Sequence, residues 1–193
     1  MERKNKGIAL IISGPSGAGK GTLVKMLIKE FPNIQFSISY TTRKPREGEI
    51  DGVDYVFISK KEFKKLIEKD MFAEWANVHG NYYGTPRKEI EEKLNKGFDV
   101  VFDIDVQGAK NLKQNLRQGV FVFILPPSIE ELKRKLIKRG SDDPKTIEIR
   151  LKNAQKEMES IDEFEYVILN DDLNKAYDSL RCIYLSAKCK VRR

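Results

Sequence analysis

Short apolar runs alternate with amphipathic segments along most of the chain. Residues 7–12 form an apolar run that ends in Ser13-Gly14-Pro15, a pattern that indicates a buried strand followed by a turn. Apolar residues then recur at helical spacing over 20–30, and Pro32 follows them, so we predict a helix there. The first part of the chain therefore predicts a strand, a glycine-rich loop and a helix.

A polar, turn-rich region over roughly 35–90 interrupts this pattern. Its alternating segments 36–40 and 55–58 predict short antiparallel strands. Helices are predicted at 59–70, with Ser59 as its N-cap, and at 85–97, which Thr85-Pro86 opens. Thr85 is itself a plausible N-cap of that second helix.

Strand and helix alternate again after residue 98. The predicted strands are 99–105, 120–125 and 166–169, and the predicted helices are 106–115, 128–140, 141–160 and a last C-terminal helix. Repeated βα units of this kind imply a mostly parallel sheet covered by helices on both faces. The fold class is therefore α/β, with the polar region inserted into the core.

Composition narrows the class of protein without choosing a partner. The 193 residues are 40% hydrophobic and 34% charged, which is typical of a globular domain. The net charge of +7 suits an anionic partner, yet the lysines are spread over several predicted helices. Two cysteines and the single His79 exclude a zinc site, and we expect His79 to have no catalytic role.

No apolar run approaches the length of a membrane span, and the basic N-terminus lacks the long apolar stretch of a secretory signal. We therefore expect a cytoplasmic protein without a membrane partner.

The strongest chemical signal is the loop between the first strand and the first helix. Gly14-Pro15-Ser16-Gly17-Ala18-Gly19-Lys20 fits the pattern G-x-x-x-x-G-K, in which backbone N–H groups surround phosphates and the lysine supplies a full positive charge. The next position is Gly21 where the motif has Ser or Thr, and Thr22 follows. This leaves open whether Thr22 contacts Mg²⁺ directly, contacts a phosphate oxygen, or acts through water.

Further segments extend the signal along the chain. They are Ser39-Tyr-Thr-Thr-Arg-Lys-Pro-Arg46, Asp51-Gly-Val-Asp-Tyr55, Glu74-Trp-Ala, Gly80-Asn-Tyr-Tyr-Gly-Thr85, Asp103-Ile-Asp-Val-Gln-Gly108, Pro126-Pro-Ser and Asn170-Asp-Asp172. With the glycine-rich loop, these segments make the chain resemble guanylate kinases from about Ile8 to the last helix. The resemblance implies a P-loop NTPase core at 1–34 and 91–193, an inserted mixed α/β GMP-binding lobe at 35–90, and a helical lid at about 127–157.

The function implied by this resemblance is reversible phosphoryl transfer from MgATP to GMP, and to dGMP, giving ADP and GDP in purine nucleotide metabolism. Mg²⁺ is the implied cofactor, GMP and ATP are the implied partners, and the implied assembly is a monomer or homodimer that binds no nucleic acid. Three alternatives remain from the residues alone: a guanylate-kinase-like interaction domain without catalysis, a kinase for another acceptor, and a nucleic-acid-binding protein.

The resemblance also assigns residues to the acceptor nucleotide. It places four side chains on the GMP phosphate: Arg43, Arg46, Tyr55 and Tyr83. Guanidinium groups suit a dianionic phosphate because they offer a fork of donors and stay charged. Glu74 is the implied base selector, since one carboxylate matches the two adjacent donors of guanine, and the implied guanine-edge contacts are Ser39, Thr85 and Asp105.

For ATP, the implied contacts are the loop residues from Gly14 to Lys20, then Gly21, Thr22 and Asn170. The implied metal-binding residues are Thr22 and Asp103, with Asp103 acting through water. The implied catalytic residues are Lys20, Arg43, Arg139 and Arg150. Two of them, Arg139 and Arg150, belong to the lid, for which Arg134 is a weaker candidate.

Overall fold

The computed structural model describes residues 6–78, 80–116, 118–139 and 143–190, and the side chain of Arg139 lies outside that description, as does His79. The strands are β1 (Ala9–Ser13), β2 (Ile34–Phe36), β3 (Tyr40–Thr41), β4 (Val56–Phe57), β5 (Phe72–Val78), β6 (Asn81–Pro86), β7 (Asp99–Asp103), β8 (Val120–Leu125) and β9 (Tyr166–Leu169). The helices are α1 (Lys20–Glu30), α2 (Lys60–Glu68), α3 (Arg87–Asn95), α4 (Val106–Asn115), α5 (Ile129–Arg139), α6 (Pro144–Met158) and α7 (Leu173–Cys189).

The core is a parallel five-stranded sheet in the order β2-β7-β1-β8-β9. All five residues of β1 are buried, because helices cover both faces of a parallel sheet. Leu10 and Ile12 pack on one side against α1 and α7, whereas Ala9 and Ile11 pack on the other side among residues of α3 and α4. This arrangement confirms the predicted α/β core.

A buried carboxylate ties the last helix to this sheet. Asp99, at the start of β7, is 1% exposed and accepts hydrogen bonds from the Ile8 amide (2.7 Å), the Tyr184 hydroxyl (2.7 Å) and the Lys188 ammonium (2.8 Å). Burial alone would raise the pKa of Asp99, but the hydrogen bonds from Lys188 and Tyr184 outweigh it and lower the pKa. The C-terminal helix is thus fixed to the edge from which β7 begins.

The second sheet has the order β4-β3-β6-β5, and β5 and β6 form its long antiparallel hairpin. Helix α2 is held at its start by a capping box between Ser59 and Glu62, as its sequence predicts. Phe63 of that helix stacks on Phe72 of β5, with 4.6 Å between ring centroids. A Cβ at Gly84 would come within 2.8 Å of Phe63, so the close packing here depends on glycine.

The antiparallel pairing predicted for the strands at 36–40 and 55–58 is confirmed at Tyr40, whose strand β3 runs antiparallel to β6, and is wrong elsewhere. Phe36 ends β2, which runs parallel to β7 in the core sheet, and only Tyr40 and Thr41 enter the second sheet. Strand β4 then pairs parallel with β3. Alternation of polar and apolar residues reports which side of a strand is buried, and it carries no information about the direction of the partner.

Two helices, α5 and α6, follow the core strand β8 and pack on each other. Ser128 accepts a hydrogen bond from the Glu131 amide, and Asp143 caps α6 by accepting from the Lys145 and Thr146 amides. The predicted N-cap role of Thr85 is wrong, because Thr85 lies in β6 and Pro86 occupies the N-cap position of α3.

Over the described ranges, no helix combines the length and apolar character needed to cross a membrane.

Candidate active site

The glycine-rich loop connects the carboxyl end of β1 to the start of α1. Gly14, Gly17 and Gly19 have φ values of 132°, 94° and 97°, which side-chain-bearing residues rarely adopt. A Cβ at Gly14 would lie 2.3 Å from the carbonyl oxygen of Ile124 in the neighbouring strand. The loop therefore keeps its shape only with glycine, and it exposes the N-terminus of α1, where backbone N–H groups favour an anion.

Lys20 is the first residue of α1, and its side chain folds back over the loop. Its ammonium group donates hydrogen bonds to the carbonyl oxygens of Gly14 (2.7 Å) and Pro15 (3.1 Å). The positive charge predicted for the phosphate site thus lies at the mouth of the loop.

Asn170 supports the loop from the end of β9. Its side-chain amide donates to the carbonyl oxygen of Ala18 (2.7 Å), and its backbone amide donates to Leu125 (2.8 Å). Only 7% of Asn170 is exposed. Sequence reasoning expects Asn170 at ATP, and the structure places it in the wall of a cleft of about 750 Å³, the outer cleft, with Gly17, Gly19 and Thr22. It also gives Asn170 a second task, since the residue holds the loop in place.

Asp103 ends β7 next to the loop, because β7 is paired in register with β1. With Lys20, Gly21 and Thr22 it lines a cavity of about 380 Å³, the loop cavity. A Cβ at Gly21 would lie 3.5 Å from a carboxylate oxygen of Asp103. Within the described ranges no three His, Cys, Asp or Glu side chains form a metal-holding group. One carboxylate and one hydroxyl nevertheless fit Mg²⁺, which keeps several waters and takes further ligands from substrate phosphates.

A second cavity, of about 150 Å³, lies where the two sheets meet α6, and we call it the acceptor cavity. It brings Lys20 and Asp103 of the core together with most of the side chains assigned to the acceptor nucleotide: Ser39, Arg43, Arg46, Tyr55, Glu74, Tyr83 and Asp105. Residues far apart in the chain therefore converge on one site. Arg46 and Tyr55 also line the loop cavity, so the two cavities share a wall.

Arg43 is held in place by Glu49, a residue for which the sequence motifs predict no role. The guanidinium group donates two hydrogen bonds of 2.8 Å to the two carboxylate oxygens of Glu49, and it lies 5.3 Å from the centroid of the Tyr55 ring. Burial acts to lower the pKa of Arg43, but the hydrogen bond to Glu49 outweighs it and the pKa rises. Because Glu49 also accepts from the Arg46 amide (2.7 Å), one carboxylate orders both arginine positions.

Glu74 is the buried carboxylate of the acceptor cavity, with 5% of its surface exposed. It accepts a hydrogen bond of 2.5 Å from the hydroxyl of Thr85, which lies 3.4 Å from the hydroxyl of Ser39. Burial raises the pKa of Glu74 to about 8, the Thr85 hydrogen bond opposes this rise, and the nearby Asp105 adds to it. Three of the four polar residues predicted at the base, Glu74, Thr85 and Ser39, thus form one buried group.

Asp105 has a structural task in addition to its predicted one. As the N-cap of α4, it accepts hydrogen bonds from the amides of Gln107 (2.9 Å) and Gly108 (3.1 Å). This cap brings the first turn of α4 against Glu74, and a Cβ at Gly108 would lie 2.9 Å from a Glu74 carboxylate oxygen.

The predicted lid arginines differ in where they lie. Arg150 of α6 lines the acceptor cavity. The guanidinium group of Arg134 pairs with Glu131 on the surface, where the Arg134 side chain is 76% exposed, and its role in the lid stays a prediction. Glu157, two turns after Arg150 on α6, also lines the acceptor cavity and was missed; the seven-residue spacing, which returns to the same helix face, could have indicated it.

The chain is similar to known proteins over nearly its whole length. The family model described as guanylate kinase matches residues 6–187. The chain is 52% identical over 194 residues to a guanylate kinase of Nitratidesulfovibrio vulgaris, covering 98% of this chain and 94% of the relative. It is 48% identical over 193 residues to a guanylate kinase of Clostridium perfringens strain 13, covering 100% of this chain and 89% of the relative.

A solved structure gives the same result for the fold. The crystal structure of guanylate kinase from Anaplasma phagocytophilum superposes with a TM-score of 0.82 at 36% identity, covering 97% of this chain and 89% of the other. Family match, sequence identity and fold agree over nearly the whole chain, and the glycine-rich loop with its lysine is intact. The chain therefore belongs to the guanylate kinase family.

Proposed function

We propose that this chain transfers a phosphoryl group reversibly from MgATP to GMP, and to dGMP, giving ADP and the nucleoside diphosphate. The observation that carries the proposal is the buried Glu74, which lies in one cavity with Lys20, Arg43 and Arg46. Lys20 and Arg46 also line the loop cavity whereas Glu74 does not, which supports cations for phosphates on the loop side of the pocket and a carboxylate for a base away from the loop.

Glu74 would select the base. Guanine presents its N1–H and 2-amino group side by side, and both are donors for a carboxylate. Adenine has an acceptor at N1, so a buried carboxylate would face a lone pair without a hydrogen bond, and such a mismatch is costly. The hydroxyls of Thr85 and Ser39, beside Glu74, would contact other atoms of the guanine edge.

The phosphate of GMP would lie at the other end of the cavity. Arg43 and Arg46 supply its positive charge, and the hydroxyls of Tyr55 and Tyr83 add donors without adding charge. Because Glu49 already orders Arg43, the guanidinium group needs little rearrangement to meet a phosphate.

Phosphoryl transfer requires positioning and charge neutralisation more than acid–base chemistry. An oxygen of the GMP phosphate, already deprotonated at neutral pH, attacks the γ-phosphorus of ATP while the bond to the β–γ bridging oxygen breaks and ADP leaves. Lys20, Arg43 and Arg150 line the cavity in which this charge moves, and Arg139 is the further lid candidate. Asp103 and Thr22 would hold hydrated Mg²⁺, which supplies additional positive charge beside the β- and γ-phosphates.

We further propose that the region 35–90 acts as the acceptor lobe and that 127–157 acts as the lid, each moving against the P-loop core. Since α6 carries Arg150 into the acceptor cavity, closure of the lid would complete the site and exclude water. The outer cleft, bordered by Asn170 and the loop glycines, would receive the adenosine part of ATP.

A coupled assay of ADP release tests the proposal. ATP with GMP should give rapid turnover in the presence of magnesium, whereas ATP with AMP should give little above the background with ATP alone. The non-catalytic interaction domain would instead show no GMP-stimulated ADP formation. The intact loop and its ordered lysine favour the enzyme over that alternative.

A further inference from the structure

Glu157 lies on the lid helix α6 and faces the site. Arg150 and Glu157 are separated by seven residues, which brings both side chains to the same face of a helix. Both line the acceptor cavity. The Glu157 carboxylate makes no hydrogen bond or ion pair with any residue in the described part of the chain, although it is partly buried.

The charges around Glu157 show which part of the cavity it occupies. It interacts electrostatically with Lys20, at the phosphate end, and with Asp105, at the base end. A neighbouring cavity of about 330 Å³ shares three lining residues with the acceptor cavity: Val78, Asp105 and Glu157. Glu157 therefore has one charged neighbour on the phosphate side and one on the base side of the acceptor cavity, and the sugar of a nucleotide necessarily lies between its base and its phosphate.

The chemistry of a carboxylate limits what it can contact there. Phosphate oxygens repel it, and the three donor hydrogens of guanine are matched by Glu74, which can take two of them, and by Asp105, which can take the third. The remaining donors of the acceptor nucleotide are the hydroxyl groups of its ribose. Burial raises the pKa of Glu157 to about 7; Lys20 opposes this rise and Asp105 adds to it. Burial thus disfavours the ionised carboxylate, and hydrogen bonds from ligand hydroxyls would stabilise it.

We propose that Glu157 accepts hydrogen bonds from the 2′- and 3′-hydroxyls of the acceptor ribose and thereby makes the enzyme prefer GMP to dGMP. This inference rests on the proposed GMP site. It also couples substrate choice to the lid, because a ribose held by Glu157 draws α6, and Arg150 with it, onto the acceptor.

The test compares GMP with dGMP in the wild-type protein and in Glu157→Ala, Glu157→Gln and the control Glu159→Ala. Glu159 is the exposed C-cap residue of α6 and does not line the acceptor cavity. Equilibrium binding of each nucleotide and kcat/KM with MgATP are both measured, and thermal unfolding verifies that each variant is folded.

The wild type should favour GMP by about tenfold, the value of one hydrogen bond to a charged group. In Glu157→Ala the GMP to dGMP ratio should fall to about two or less, chiefly through weaker GMP binding. Glu157→Gln should retain part of the preference, because its amide oxygen still accepts. Glu159→Ala should behave like the wild type.

Two results separate the inference from the proposed function. A wild type that turns over GMP and dGMP equally well, or a Glu157→Ala variant that keeps the full preference, would overturn the role of Glu157 and leave the kinase intact. A folded wild type that neither binds GMP nor releases ADP in response to it would overturn the proposed function, and the ribose contact with it.

Discussion

The hydroxyl of Thr85 donates a 2.5 Å hydrogen bond to the carboxylate of Glu74 across the β5–β6 hairpin. The pair is buried, and the second carboxylate oxygen faces the first turn of α4 at Gly108. Glu74 therefore enters the site with one fixed partner and with lone pairs left to accept hydrogen bonds from a ligand.

Affinity for GMP should rise with pH between about 7 and 8.5. Guanine donors require the ionised Glu74, whereas burial raises the pKa of this carboxyl to about 8, so the empty site is mostly protonated at pH 7. Below that pKa the dissociation constant should increase nearly tenfold for each unit of pH lost. Titration calorimetry in two buffers of different ionisation enthalpy should also detect proton release on binding.

Glu74→Gln is the control for this pH dependence. The amide does not titrate, so the dissociation constant for GMP should be weaker and flat across the same range. Since an amide offers a donor as well as an acceptor, the variant should also discriminate less against AMP. A wild type whose GMP affinity stays constant from pH 7 to 8.5 would contradict the assignment.

Lys20→Ala should reduce kcat by at least about a hundredfold, because the ammonium group over the loop supplies charge to the transferring phosphoryl group. GMP binding, measured without ATP, should remain largely intact since Arg43 and Arg46 are unchanged. Lys29→Ala, in the exposed last turn of the same helix, is the matched control. Full activity of Lys20→Ala would refute the role.

Asn170→Ala should weaken ATP binding and leave GMP binding unchanged. The substitution removes the 2.7 Å hydrogen bond to the buried Ala18 carbonyl, so the loop loses its anchor to β9. A loss of about 1–3 kcal/mol in the free energy of unfolding should accompany it. The exposed Asn174 provides a control, since Asn174→Ala should change neither quantity; equal ATP affinity in wild type and Asn170→Ala would count against the anchor.

Asp99→Ala should cost about 1–3 kcal/mol of unfolding free energy at pH 7, because it leaves the buried Ile8 amide without its partner and removes the ion pair with the partly exposed Lys188. The pKa of Asp99 is lowered in the folded protein, so its contribution is complete above the ordinary value of 3.8 and is lost as pH falls through the folded value. Urea unfolding at pH 7 and near pH 3 should therefore show the difference between variant and wild type narrowing in acid. The exposed Asp178→Ala should be nearly neutral, and a neutral Asp99→Ala would contradict the prediction.

The core could be predicted from the sequence because its signals are local. The apolar run at β1, the helical spacing of α1 and the Ser59 cap each depend on neighbouring residues, and the structure confirms all three. Strand direction is not local. Residues 36–40 divide between two sheets because the Phe36 end of β2 pairs with β7, a partner that no nearby residue specifies.

In the candidate site, too, local features can be predicted from the sequence and long-range contacts cannot. Phosphate-binding residues form a contiguous motif, so Gly14 and Lys20 are visible in the sequence. Positioning residues are defined by contacts across the fold: Glu49 orders Arg43, Asn170 holds Ala18, and Glu157 reaches the cavity from α6. The contacts that define the roles of these residues exist only in the folded chain.

The strand order of the core has a consequence for how the protein is made. Strand β1 leaves the ribosome first, yet both of its neighbours, β7 and β8, lie in the second half of the chain. The nascent chain must therefore carry this apolar strand unpaired until β7 and β8 have been translated. Such long-range pairing slows folding and leaves the unpaired strand able to aggregate with neighbouring polypeptides. Early chaperone binding is therefore most valuable at β1.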